Sequence, residues 1–468
     1  MLRERSRTPA DLGTSTSTRM TEIAILPPRG DIRPYRGIIA VYSHMGQASA
    51  STARGVRASV RHIRTPRLRS GDGACQKLGA REDDGRMSVE RSEVNHALAV
   101  LGIPPASVTD LEPLAGGLSG ATLANVTLTQ RHGNASAYAR RVVKVLRTGW
   151  LQELTHDTAL REAQVWRSGL LARLPRTIET AYCAVSSEPD QDQRCGALLM
   201  RNVSSRLWPS AVRTPPGRRP AVTDAIVTEL ARMHARFWEY PCLRDPAVGL
   251  MRTTDAMLFL SPQVVTAQRA SGQTNPYLPL AEQGWATFFE VVPPTARATL
   301  VRVFADPSPW LRQIDSLPRT LVHGDVWGPN LGVLPAGRGK PARLLLLDWA
   351  LTTAGPATWD VLWLCGTWQG LSPVRTLALY RARLRHEFGK HGIAFKDATW
   401  RLLVEAGYLR TTLTCGEAFG QAVHHARSAP QRNRAVARAR WWGARAALAA
   451  ERLANSGGEP GIRAETAR

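Results

Sequence analysis

The sequence predicts an α+β chain of two lobes, a small antiparallel β-sheet lobe carrying one helix followed by a larger helical lobe. Three observations carry this prediction. Ala121–Thr129 and Ala139–Leu146 are alternating or β-branched runs on either side of a Gly-Asn pair, Gly133–Asn134, which is the pattern of a hairpin. After Pro209 the spacing becomes helical, and Thr223–Trp238 places Ile226, Leu230, Met233 and Phe237 on one stripe, the mark of a helix with one buried face. All 14 Trp lie at Trp150 or later, so the two lobes follow a first segment that lacks the bulk for a core of its own.

Taken in order, residues 1–86 hold 16 basic and 8 acidic residues and only two aromatics, Tyr35 and Tyr42. Such a segment, broken by Pro, Gly, Ser and Thr, cannot bury enough apolar area to offset its ordering entropy, and is expected to be disordered. Glu4, Asp11, Glu22 and Asp31 depart from the acid-poor composition of a transit peptide. Met87 stands directly before the first segment that reads as structure, Ser88–Leu101, and is an alternative start. The expected units are therefore 1–86, a sheet lobe at 87–203 and a helical lobe at 204–468. Within the first lobe, Leu154–Leu174 has helical spacing, while Ile178–Val185 and Ala197–Val203 read as strands. Within the second, Leu331–Leu334 and Leu344–Leu347 form a short hairpin.

Composition excludes several classes. The 468 residues are 43% apolar and 21% charged, neither collagen-like nor wholly disordered. No run approaches the roughly 20 apolar residues of a membrane-spanning helix. Six cysteines, Cys75, Cys183, Cys195, Cys242, Cys365 and Cys415, contain no C-x-x-C pair, so neither a zinc site nor a disulfide framework is indicated and a reducing, cytoplasmic setting is expected. The net charge of +23 comes from 61 basic residues, of which 56 are Arg and five Lys. Phosphate-rich partners attract such a chain, but no recognition-helix, zinc-finger or RNA-sheet signature accompanies the charge, and a solvated Arg-rich surface is the simpler reading.

The segment richest in chemistry is Leu321–Asn330, LVHGDVWGPN, followed by LLLLDW at Leu344–Trp349. An Asp five residues before an Asn, with a second Asp at the end of the next apolar strand, suits phosphoryl transfer. Asp325 can accept the proton of an attacking hydroxyl. Asn330 and Asp348 offer oxygen ligands to a hard ion such as Mg²⁺ on nucleotide phosphates. Lys144, inside the apolar run VVKVL of an Arg-dominated chain, points to a need for a compact ammonium rather than a guanidinium fork.

These residues resemble the aminoglycoside phosphotransferase and choline kinase superfamily, the small-molecule branch of the protein-kinase-like fold, whose catalytic loop H-G-D-x-x-x-x-N is matched by His323, Gly324, Asp325 and Asn330. Its later aspartate matches Asp348, and its Gly-Pro and Trp-Asp continuation matches Gly355, Pro356, Trp359 and Asp360. The resemblance implies a bilobal protein-kinase-like fold and an ATP-dependent transferase, with GTP as the other purine it admits. It implies a nucleotide loop at Leu114–Thr122 through Gly116, Gly117, Ser119 and Gly120, and a pairing of Lys144 with Glu162 near the phosphates. Adenine would be held around Met200, Asn202 and Val203. His323 and Asp360 would support the catalytic loop, and His234 would be packed rather than catalytic. Arg201 stands where many relatives carry an acid, which leaves the purine choice open.

The expected partner is a hydroxylated small molecule, with nucleic acid and membrane not expected. Gly324 in place of Arg, Asp348-Trp349-Ala350 in place of D-F-G and the lack of A-P-E argue against peptide substrates. The alternatives are a catalytically silent kinase-like binding protein and a basic nucleic-acid-binding protein. The acceptor pocket is expected between Arg244–Leu317 and Leu371–Leu453. There the acid-free stretch Arg427–Arg445, with Arg438, Arg440 and Arg445, would repel a polycation if it faced the pocket.

Overall fold

The computed structural model describes residues 91–456 apart from 115–120, 133–134, 148–149, 190–193, 208–218, 273–274, 276, 335–342 and 369. The 1–86 segment, Met87, the Gly133–Asn134 turn and the whole glycine set Gly116, Gly117, Ser119 and Gly120 lie outside the described residues.

A helix over 91–100 precedes β1 (Val108–Leu114), β2 (Thr122–His132) and β3 (Ala135–Arg147). Later come β4 (Ile178–Glu179), β5 (Tyr182–Pro189) and β6 (Arg194–Arg201). Five of these strands form an antiparallel sheet in the order β1-β2-β3-β6-β5. Side chains alternate across a strand, and β3 shows the consequence. Val143 and Val145 join Val94, Ala97 and Leu98 of the 91–100 helix in one apolar cluster. Leu146 turns the other way, into the main core with Ala163, Val165 and Leu198. Lys144 has the parity of Leu146, opposite Leu198 in register, so the alternation directs it towards the second lobe.

Two sequence expectations are revised. The helical stretch Leu154–Leu174 is divided into Trp150–Leu154 and Arg161–Arg167. Between them His156 and Leu160 have positive φ, and both carboxylate oxygens of Asp157 accept from the Arg161 N–H, at 2.8 and 2.9 Å. The expected strand Ile178–Val185 also breaks. Its first two residues form β4, which pairs in parallel with β9 (Arg343–Leu346) of the helical part. A strand that must serve two sheets cannot run straight through.

The helical part begins with Arg219–Arg236, on which Ile226, Leu230 and Met233 are fully buried, and Phe237 follows them into the core. The helices Tyr277–Val291 and Asp397–His424 pack closely. A Cβ at Gly420 would collide with the Gly284 carbonyl, so glycine sets the approach of the two backbones. Three short pairings interrupt the helices: β7 (Thr320–Val322) with β10 (Thr353–Gly355), β8 (Leu331–Leu334) with β9, and β4 with β9. Thr358–Thr367, Pro373–His391 and Ala429–Ser456 complete the fold. Among the described residues no helix is long and apolar enough to cross a membrane.

Candidate active site

The β7–β10 pair fixes the start of the candidate catalytic segment. β7 ends at Val322, and His323, Gly324 and Asp325 follow before the turn Gly328–Asn330. β10 leads through Pro356 into the Thr358–Thr367 helix, whose first turn carries Asp360. Asp360 is wholly buried and accepts from the N–H groups of His323 and Gly324, each at 2.9 Å, and from His234 Nε2 at 3.1 Å. Burial opposes its ionisation, but the bond and charge of His234 outweigh that and hold the carboxyl below the usual carboxylate range. Gly324 has φ +86°, and a Cβ there would collide with the Leu351 carbonyl oxygen. A side chain at this position is therefore excluded on two grounds.

His323 fastens the loop to the other chemical strand. Its Nδ1 accepts from the Asp325 N–H at 3.2 Å, so the ring proton sits on Nε2, 3.0 Å from the Leu347 carbonyl. Burial pushes its pKa down, in keeping with a neutral ring held by these two bonds. Asn330 Nδ2 donates to Asp325 Oδ2 at 2.8 Å and to the Asp325 carbonyl at 3.2 Å. Burial, with the Asp348 carboxylate beside it, pushes the Asp325 carboxyl up to about 7, against the opposing pull of Arg410 and the Asn330 bond.

The other half of the site comes from the sheet lobe. Lys144 Nζ lies 2.6 Å from Glu162 Oε2 and 3.0 Å from Asp348 Oδ1. Three residues from β3, the Arg161–Arg167 helix and the end of β9 thus meet at one ammonium. Burial works against its charge, yet the Asp348 and Glu162 carboxylates outweigh it and hold Lys144 above the usual lysine range. Asp348 is correspondingly lowered, the Lys144 charge outweighing burial. The Lys144 side chain is 9% exposed and that of Asp348 34%, so the cluster opens to solvent on the Asp348 side.

The structure thus brings Lys144, Glu162, Asp325, Asn330, Asp348, His323 and Asp360 into one connected set. Met200 lies near the end of β6, which closes at Arg201, and Asn202 and Val203 follow it. Asn202 reaches across to Asn125 of β2 at 2.9 Å, and Arg201 is held by the Thr180 carbonyl at 2.7 Å and Glu179 at 3.2 Å. His234 is buried, with Nδ1 2.6 Å from the Tyr380 hydroxyl.

Three residues were not singled out in the sequence. The Tyr182 hydroxyl donates to Glu162 Oε1. Arg161, next to Glu162, donates to the Ala350 carbonyl at 2.7 Å, two residues beyond Asp348. Arg410 donates to the Gly324 carbonyl at 3.1 Å. A charge inside the apolar run EAGYLRTTLTCG was the available signal for Arg410, whereas the other two have none. Three arginines of Arg427–Arg445 have partners within the fold. Arg438 donates to the Cys365 and Gly366 carbonyls, both at 2.8 Å, Arg440 to that of Val291 at 2.9 Å, and Arg445 lies over the Tyr408 ring.

As a cation site, Asn330 has its amide nitrogen committed to Asp325, leaving its oxygen as a ligand, and Asp348 supplies a carboxylate. Among the described residues no group of three or more His, Cys, Asp or Glu could hold a metal. One amide and one carboxylate oxygen is nonetheless a fitting protein share for Mg²⁺, which takes its remaining ligands from water and phosphate.

Residues 110–395 match the profile of the phosphotransferase enzyme family, a span that includes every residue of this cluster. The chain belongs to that family. Three solved structures of similar kind are an ADP-bound aminoglycoside phosphotransferase, APH(2'')-Ib, a macrolide 2'-phosphotransferase from Brachybacterium faecium and an ethanolamine kinase from Plasmodium vivax. Identities are 13%, 14% and 11%, and TM-scores 0.37, 0.38 and 0.38. The alignments cover 76%, 75% and 82% of this chain and 98%, 97% and 95% of those chains. No curated protein matches the chain in sequence. Its place in the phosphotransferase enzyme family agrees with the architecture, an antiparallel sheet lobe followed by a mainly helical one.

Proposed function

We propose that the chain is an ATP-dependent phosphotransferase that moves the γ-phosphate to a hydroxyl of a small molecule. The observation that carries this is the convergence of Lys144, Glu162 and Asp348 at one ammonium, on the same loop system that sets Asp325 against Asn330. Asp325 accepts the proton of the acceptor hydroxyl as its oxygen bonds to the γ-phosphorus and the bond to the bridging β–γ oxygen breaks, releasing ADP. Lys144, oriented by Glu162, binds phosphate oxygens, and Tyr182 keeps Glu162 in place. Asn330 and Asp348 hold Mg²⁺, which when bound supplies neutralising charge to the phosphates. Gly116, Gly117, Ser119 and Gly120 are the proposed phosphate-binding set, and Met200, Asn202 and Val203 are proposed to border the purine, ATP or GTP. His323 and Asp360 set the loop and do not touch substrate. Use of a cellular nucleotide and the free cysteines Cys183, Cys242, Cys365 and Cys415 suit a reducing, cytoplasmic setting.

The test is acceptor-dependent consumption of ATP, with Mg²⁺, across a panel of hydroxylated small molecules. Asp325→Asn should retain nucleotide binding by calorimetry and lose transfer by at least about 100-fold. Wild-type protein that neither binds nucleotide nor consumes it with any acceptor, or an Asp325→Asn variant that turns over normally, would refute the proposal.

A further inference from the structure

Arg410 is a costly residue. It is fully buried in the middle of the Asp397–His424 helix, where an ionised group must be compensated or it destabilises the fold. Among the described residues no carboxylate forms an ion pair with it. Its Nε donates to the Ala256 carbonyl at 3.1 Å and its Nη2 to the Gly324 carbonyl at 3.1 Å, while Nη1 has no hydrogen-bond partner among the described residues. The guanidinium carbon lies 5.1 Å from the Trp359 ring centroid and 5.0 Å from that of Trp363. Two indole rings on the helix that carries Asp360 therefore set its position by cation–π contact.

The residue between these two charges is Gly324. Asp360 takes its N–H and Arg410 its C=O, so a buried anion sits at the donor end and a buried cation at the acceptor end. The two attract each other, and the Gly324 peptide groups give each of them a hydrogen bond. Each charge is stabilised by Gly324 only while the loop keeps this conformation, and the next residue is Asp325.

We propose that Arg410 is a positioning residue for the transfer reaction, holding the carbonyl of Gly324 and thereby the placement of Asp325, as the cationic counterpart of Asp360. This rests on the assignment of Asp325 as the base, while its structural half stands by itself. A flexible ammonium lacks the planar fork that reaches two carbonyls at once, so Arg410→Lys should loosen the loop even though it keeps the charge.

The experiment compares full-length wild type with Arg410→Lys and Arg410→Met by amide hydrogen exchange and by steady-state turnover of MgATP, using water or the best acceptor found. In both variants the amides of His323–Val326 should exchange about tenfold or more faster while those of the Arg219–Arg236 helix are unchanged. The kcat should fall about 10- to 100-fold with KM for MgATP within about threefold, the signature of a misplaced reacting group rather than lost binding. Lys should retain more activity than Met. Loop amides exchanging at the wild-type rate in Arg410→Lys, or a rise in KM matching the whole loss, would overturn the positioning role. If wild type turns over no MgATP, the kinase reading fails while the exchange data still decide whether Arg410 holds the loop. Should Arg410→Met not fold, Arg410→Lys alone decides it.

Discussion

Glu417 gives a stability prediction whose sign and size both follow from its surroundings. It is buried on the Asp397–His424 helix, accepting from the Tyr277 hydroxyl at 2.6 Å and from Gln421 Nε2 at 2.8 Å. Burial pushes its carboxyl from an ordinary 4.5 up to about 7, against the bond from Tyr277. Below pH 4.5 both folded and unfolded chains carry the proton and no penalty arises. Between 4.5 and 7 the unfolded chain releases it and the folded one keeps it, so stability falls as pH rises. Above 7 the penalty levels off at about 3 kcal/mol, from 1.36 kcal/mol for each pH unit. Glu417→Gln stays neutral and keeps an oxygen for Tyr277, with the Gln421 amide turned to accept from its new NH₂ group. Urea unfolding of both proteins should show near-equal stability at pH 4.5 and an advantage to the variant approaching 3 kcal/mol at pH 8. The comparison cancels every other titrating group. A variant-minus-wild-type difference that is the same at both pH values would refute the reasoning.

Lys144→Met and Glu162→Gln should each lower kcat/KM for MgATP, and the double variant should lose less than the sum by at least about 1 kcal/mol, because the two side chains act as one 2.6 Å pair. Additive losses measured over the full cycle would mean that they act separately. Gly324→Ala should destabilise the fold by at least about 1–2 kcal/mol from its positive φ alone, with the collision at Leu351 added. A thermal melt indistinguishable from wild type would show that the loop adapts.

Local signals were legible in the sequence. The hairpin was visible because alternation is a property of neighbouring residues, and Lys144 because its type was rare in an Arg-rich chain. The His323–Asn330 segment stood out because its spacing is a motif in itself. What could not be read were features fixed by distant partners. Ile178–Glu179 leaves its strand because Leu344 and Leu345 stand beside it in parallel. The Leu154–Leu174 helix breaks where His156 meets Asp255 at 3.0 Å and Arg161 turns to Ala350, and neither partner lies within 80 positions. Arg410 belongs to the same class, since its helix conceals that Gly324, 86 residues earlier, is what it serves. The roles of the gathered residues rest on the chemistry proposed for them.

The contrast between the two kinds of buried cation links composition to function. Arg161, Arg410 and Arg438 each reach main-chain carbonyls. A fork of five donors can share its charge among several C=O dipoles without a carboxylate, which lets an Arg-rich chain stitch its helices and loops together from within. For Arg438 and Arg410 the arrangement costs basicity, since burial lowers both to about 10. Lys144 is held the other way, by two carboxylates that keep it charged. One of those carboxylates, Asp348, is partly exposed; under the proposed function the Lys144–Asp348 contact is the one a phosphate would replace, while Glu162, buried behind it, keeps the ammonium in place. A guanidinium at position 144 could spread over the neighbouring carbonyls and become part of the scaffold. A compact ammonium with one fixed and one replaceable partner stays available to a ligand, which is a physical reason for one of only five lysines to stand there.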